Sequence, residues 1–226
     1  MTIPLGLHGG APPSAVTLIG VDPGVYNWQP SNTTQTVNVA STIPSATTGD
    51  LLVLHVYASP SGANPNSTMN APSGFTKAGE AVSSGATQYL GVFYAPYQSS
   101  ITFDIKGNVN YSYTVAAFRG HDPVTPINGG SCVNNFNNTN SYDARTVTAS
   151  KGNYGLCAGS GVANVAWSKP GSINDASTTI QANAITNVGC FMCTRPLPSG
   201  SGTFTPGQVG GTSQWEVISS LVVLPA

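Results

Sequence analysis

Residues 51–58 read LLVLHVYA, an almost unbroken apolar run set between Gly49-Asp50 and Ser59-Pro60. Its length and its turn-forming borders suit a buried strand better than a helix, and place it at the centre of a sheet. The pattern continues to residue 128. The runs YLGVFYAPY and YSYTVAAFRG are separated by Gly, Pro, Asn and Ser, with APSGFTKAGEA ahead of them. No apolar period of 3.6 persists anywhere, and Pro and Gly interrupt every candidate, so helices are not expected.

Strands are predicted over 15–21, 34–40, 50–58, 89–95, 101–105 and 111–118, then over 145–150, 154–165, 188–194, 203–205 and 215–224. Residues 59–74 and 168–177 are turn chemistry throughout. The segment 119–140 is rich in Gly, Pro and Asn. It is expected to cross between sheets or to protrude as a binding surface. The second half echoes the first. GDLLVL at 49 parallels GNYGLC at 152, LGVFYAP at 90 parallels GCFMCTRP at 189, and TFD at 102 parallels TFT at 203. YSYTVAAFRG likewise parallels WEVISSLVVLPA. The expected fold is therefore all-β, a jelly-roll β-sandwich of about 8–10 strands built from two pseudo-repeated Greek-key halves. Residues 15–226 would form that one domain, and residues 1–14 an extended arm lying against the barrel or a neighbouring subunit.

Charge narrows the function classes. Asp, Glu, Lys and Arg make up 7% of the 226 residues, with a net charge of -1, where about 25% charged is usual. Such a chain raises no field that would draw nucleic acid or an anionic membrane. Its surface must be built from Ser, Thr, Asn, Gln and Gly, which suits packing against neighbours or meeting neutral ligands such as glycans. No apolar run approaches the roughly 18 residues of a membrane-spanning helix. The first basic residue is Lys77, so the positive and apolar regions of a secretory signal are absent from the start. Synthesis in the cytoplasm without a signal peptide is the expectation.

Candidate chemistry is sparse. Cys190 and Cys193 have CxxC spacing, yet in a strand, positions three apart point to opposite faces, which argues against zinc or a redox helix. Cys132, Cys157, Cys190 and Cys193 are instead read as buried thiols or as one or two structural disulfides, with three connectivities open. His121-Asp122 offers half of a dyad, though Asp122-Pro123 reads more simply as a turn. His8 and His55 have no partners in sequence, and no serine sits in a nucleophile elbow. The eight carboxylates show no glycosidase pairing. The expectation is a non-enzymatic protein with no cofactor and no metal. Trp28 is the best candidate for an exposed contact such as sugar stacking.

The segments GDLLVLHVYA, APSGFTKAGEA, LGVFYAPY, VAAFRGHDPVTPIN and LVVLPA together resemble a domain of bacteriophage virion proteins that also recurs in bacterial secreted modules. Its usual form is GDLLVA…PPAGWT…YYKVA…AAFRGVD…PID. The resemblance covers about residues 16–226, and Phe75 stands where the family usually has tryptophan. These motifs are framework rather than catalytic. They imply a jelly-roll domain serving as a head decoration (cement) protein, a head or tail fibre module, or an adhesin. A capsid-surface decoration protein is expected first, as a dimer or trimer bridging major capsid or other virion proteins. Its contacts would come from Ile3, Leu5 and Leu7 of the arm, Trp28, Phe75, His121 and Phe136, and the loops 59–74 and 121–140. The alternative is a fibre domain that binds a host receptor or glycan.

Overall fold

The computed structural model describes residues 15–24, 26–29, 32–60, 70–82, 89–106, 109–135, 141–144, 147–148, 154–161, 179–184, 189–197, 203–204, 207–210 and 216–226. The first half contains β1 (Thr17–Asp22), β2 (Tyr26–Gln29), β3 (Thr33–Val37), α1 (Val39–Thr42), β4 (Leu51–Pro60), β5 (Thr76–Val82), β6 (Tyr89–Pro96), β7 (Ile101–Ile105) and β8 (Val109–Arg119). The second half contains β9 (Ile127–Asn135), β10 (Ser141–Ala144), β11 (Val147–Thr148), β12 (Tyr154–Gly161), β13 (Thr179–Ala184), β14 (Gly189–Pro196), β15 (Thr203–Phe204), β16 (Gly207–Gly210) and β17 (Glu216–Val223). All ladders between these strands are antiparallel.

Each half builds its own sheet, and both use the same permutation. The first sheet runs β1-β8-β4-β6-β5, the second β9-β17-β12-β14-β13. Two-stranded pairings accompany them, β3-β7 in the first half and, in one register, β10-β16 and β11-β15 in the second. The duplication holds residue by residue. Leu51 pairs with Pro96 and Phe118 as Tyr154 pairs with Pro196 and Val223. A bulge after Lys77, opposite Phe93 and Val92, has its counterpart after Ile180, opposite Cys193 and Met192. The architecture is thus an all-β sandwich. Its halves are laid face to face rather than interleaved, and its described strands exceed the expected 8–10.

Side-chain alternation along β4 explains the unbroken apolar run. Leu52, Leu54, Val56 and Ala58 face one core, with Phe93, Val115, Ile101, Phe103 and Ile105. Leu51 and Val53 face another, shared with the second sheet. A strand buried on both faces has no solvent side to make polar. Most of the shared core consists of equivalent pairs: Leu51 with Tyr154, Val53 with Leu156, Val92 with Met192, Ala116 with Leu221, and Phe118 with Val223. The two sheets therefore meet through the same patch used twice, as in a two-fold dimer interface.

Outside the sheets lie the ribbons. Phe103 on β7 is buried against the first sheet. Phe204 on β15 is buried against the second, where a Cβ on Gly155 would come within 2.4 Å of its ring. Val147 on β11 is buried in the same layer, beside Gly129. Four layers result: ribbon, sheet, sheet, ribbon.

Three sequence expectations change. Strand 34–40 stops at Val37, and the chain makes one helical turn, α1, capped by the Asn38 side chain on the Ser41 N–H (3.2 Å). That turn sets Val39 and Ile43 into the first core, a tertiary gain that outweighs local strand preference. Segment 119–140 is not a continuous loop, because residues 127–135 form edge strand β9 against β17. Its Gly129-Gly130 bulge and polar composition hid it. Finally, residues 26–29, where no strand was expected, form β2, paired along β8. Among the described residues no helix is long and apolar enough to cross a membrane.

Candidate functional site

The densest group of interacting charged side chains among the described residues lies where the first half hands over to the second. The turn before β4, Thr47-Thr48-Gly49-Asp50, closes on itself. The Asp50 N–H donates to the Thr47 carbonyl (3.0 Å), and the Thr47 N–H donates to Asp50 Oδ2 (2.8 Å). Gly49 takes φ 97°, which a side chain would resist. Arg119, the last residue of β8, then forks onto the carboxylate, with Nε to Oδ1 and Nη2 to Oδ2 both at 2.8 Å. The same Nη2 reaches the Ser45 carbonyl (3.2 Å) and Thr47 Oγ1 (3.3 Å).

Asp50 is 1% exposed and Arg119 52% exposed. Burial pushes the Asp50 carboxyl up, but the Arg119 bonds and the Thr47 N–H together outweigh it and hold the group below its ordinary 3.8. The hydrogen bond from Arg119 to Asp50 in turn raises the guanidinium further. His121 stands beside this pair, half-buried, its Nδ1 lacking a hydrogen-bond partner. Burial lowers its pKa despite the neighbouring Asp50 and Asp122 carboxylates.

His121 bridges to Pro225 through its backbone. The Asp122 N–H donates to the Leu224 carbonyl, Leu224 to Pro126, and Ala226 to Gly120 (2.8, 2.8 and 3.0 Å). The C-terminus is thereby sewn to the linker between the halves. The Asp122 carboxylate serves its own turn, accepting from the Val124 N–H (2.8 Å), the Thr125 N–H (3.1 Å) and Thr125 Oγ1 (3.1 Å). A dyad needs that carboxylate to orient the imidazole, and here it is already engaged three times. The chemistry is that of a staple joining turn, strand end and linker.

Asp50→Asn is expected to lower unfolding free energy by about 1.5–3 kcal/mol, the usual worth of hydrogen bonds to a charged group. The half-exposed Arg119 adds little Coulomb energy in water. Arg119→Lys should fail to restore stability in urea melts, because a lysine cannot fork onto both oxygens.

A second polar region lies on the outer face of the first ribbon. Thr34 Oγ1 donates to Asp104 Oδ1 (2.8 Å), and the Thr36 and Thr102 hydroxyls lie 3.4 Å apart. Two open clefts flank this face and share Asp104 and Lys106. One of about 460 Å³ is lined also by Asn32, Thr33 and Thr34. The other, about 270 Å³, is lined by Asn70, Pro72, Ser73 and Thr102. The sequence reading overlooked these clefts, because Asp104 and Lys106 look like ordinary exposed positions of an alternating strand.

Of the residues expected to make contacts, Ile3, Leu5, Leu7 and Phe136 lie outside the described residues. Trp28 is on β2, opposite Asn110 of β8. Phe75 is corrected: its ring is 8% exposed and packs in the first core, so it has little surface to offer a partner. Loop 59–74 begins within β4 and ends in the turn 72–75; residues 61–69 lie outside the described residues. The cysteines all belong to the second sheet, with Cys157 opposite Cys193, Cys190 opposite Ser160, and Cys132 opposite Ser219. Among the described residues no three His, Cys, Asp or Glu side chains are grouped to hold a metal ion.

Compared with known proteins, the chain matches no protein-family model, no curated protein and no solved structure.

Proposed function

We propose that the chain is a non-enzymatic virion structural protein, a capsid decoration protein that stabilises a phage head by bridging coat subunits. The observation that carries the proposal is how the family-like motifs are used. GDLLVLHVYA, LGVFYAPY and VAAFRG are all framework, and their polar members, Asp50 and Arg119, are bonded to one another within the fold. What remains for function is a surface with few charges and many hydroxyls and amides. Such a surface binds by multivalent hydrogen-bonded and apolar burial, which stabilises an assembly by mass action without chemistry.

Gel densitometry of purified particles tests this reading. A decoration protein is present at a copy number commensurate with the coat lattice, and its loss leaves heads fragile to heat or osmotic shock. A few copies per particle would overturn it. Deleting residues 1–14 is expected to abolish binding to coat shells while leaving the melting temperature of the isolated protein unchanged. Full retention of shell binding would remove the arm from the mechanism.

The clefts beside Asp104 favour one second reading, a fibre domain that meets a neutral glycan. Hydroxyl and carboxylate groups of this kind can hydrogen-bond sugar hydroxyls. Binding of the purified protein to a glycan array, lost in Asp104→Ala, would support that reading.

A further inference from the structure

The four cysteines do not stand in equivalent places, and the difference follows from strand register. Cys157 on β12 and Cys193 on β14 are direct cross-strand partners in an antiparallel ladder. Directly opposed residues in such a ladder have Cα atoms about 4.5 or 5.5 Å apart, depending on the hydrogen-bonding phase. Both values fall within the roughly 4.4–6.8 Å that a disulfide spans. The remaining combinations do not meet that requirement. Cys132 on β9 is separated from β12 by β17, and from β14 by both β17 and β12. With about 4.8 Å per strand step, its separations exceed the bridging limit of about 7 Å. Cys190 and Cys193 are three residues apart along one strand, about 10 Å at a rise of roughly 3.3 Å per residue. Cys190 is opposed by Ser160 and Ala184.

The internal duplication supplies an independent argument. Cys157 and Cys193 occupy the positions that Leu54 and Phe93 occupy in the first half, themselves a cross-strand pair. Leu54 and Phe93 are fully buried beneath the five-residue strands of the β3-β7 ribbon. In the second half the large apolar pair is replaced by two small sulfur-bearing residues. A covalent link at this point would replace the packing that the smaller side chains remove.

We propose that Cys157 and Cys193 form one cross-strand disulfide in the second sheet, while Cys132 and Cys190 remain thiols. The reaction is thiol–disulfide exchange with a small-molecule disulfide of the glutathione type. One protein thiolate attacks that disulfide and expels a glutathione thiolate. The second protein thiolate then displaces the other glutathione from the mixed disulfide. Two protein thiols are oxidised to one S–S bond, and one glutathione disulfide is reduced to two thiols.

The test uses the full chain. Protein equilibrated with an excess of oxidised glutathione is alkylated and cleaved on the N-terminal side of aspartate. This separates Cys132 (122–142), Cys157 (143–174) and the Cys190/Cys193 pair (175–226). The expected result is a 143–174 to 175–226 link with Cys132 alkylated. Cys190→Ser should retain the link and Cys193→Ser should abolish it. Reduction should lower the melting temperature of the parent protein by roughly 10 °C, and that of Cys157→Ser hardly at all. A link involving the Cys132 peptide, four alkylated thiols, a link lost in Cys190→Ser, or one surviving in Cys193→Ser would each overturn the assignment.

Discussion

Truncating Phe204 to alanine should destabilise the protein by about 3–5 kcal/mol, the usual penalty for removing a buried ring and leaving a cavity. The ring is 1% exposed and lies over Gly155, whose absent side chain makes room for it. Gly155→Ala alone should also destabilise, by about 1–3 kcal/mol, because its new Cβ meets ring carbons 2.4–2.7 Å away. In the double variant the methyl occupies space the ring has left. The combined loss should therefore fall short of the sum by at least about 0.5 kcal/mol. Guanidinium melts of the four proteins give that coupling directly. Strict additivity would mean that the ribbon does not pack on the second sheet as described. Phe103→Ala, the equivalent change in the first half, should show a loss of similar size.

His55→Leu should remove most of the protein's sensitivity to mild acid. His55 is 3% exposed between the sheets, and neither ring nitrogen has a hydrogen-bond partner. Burial depresses its pKa from 6.5 to about 3. The unfolded chain therefore takes up a proton below pH 6.5 that the folded chain refuses until about pH 3. Stability is complete above pH 6.5 and falls by up to about 1.4 kcal/mol for each pH unit below it. The loss should be about 2 kcal/mol at pH 5 and about 3 kcal/mol at pH 4. His121, also depressed, adds to the same trend. The Asp50 carboxyl acts lower: held below 3.8, it stabilises above that value and loses its contribution only as pH falls through its folded pKa. Urea melts between pH 4 and 7 separate the two, because His55→Leu should flatten this window and leave the acid limb below it. At pH 7 leucine should be neutral or stabilising, since two buried nitrogens no longer lack partners. An unchanged slope in His55→Leu would refute the assignment.

Much of the framework was legible in the sequence because its signals are local. Residues 51–58 are apolar at every position except His55, and a strand buried on both faces has no other way to be written. The echo between halves was also legible. Leu51 and Tyr154, and Phe103 and Phe204, fall where the matched segments put them. The candidate sites were much less so. Phe75 was expected to touch a partner, yet it packs in the first core. Asp50 and Arg119 are 69 positions apart, and nothing between them announces a bidentate pair. The clefts around Asp104 exist only because residues 32–34 and 70–73 arrive on either side of β7.

Alternation, turn chemistry and repetition act over a few residues, so the sequence alone established the central strands of both sheets, the duplication and the scarcity of charge. The placement of the two halves could not be read that way, because register and facing are relations between segments far apart in the chain. Only the tertiary structure decided that each half keeps to its own sheet, that the halves meet through the same patch used twice, and that Cys157 is set opposite Cys193.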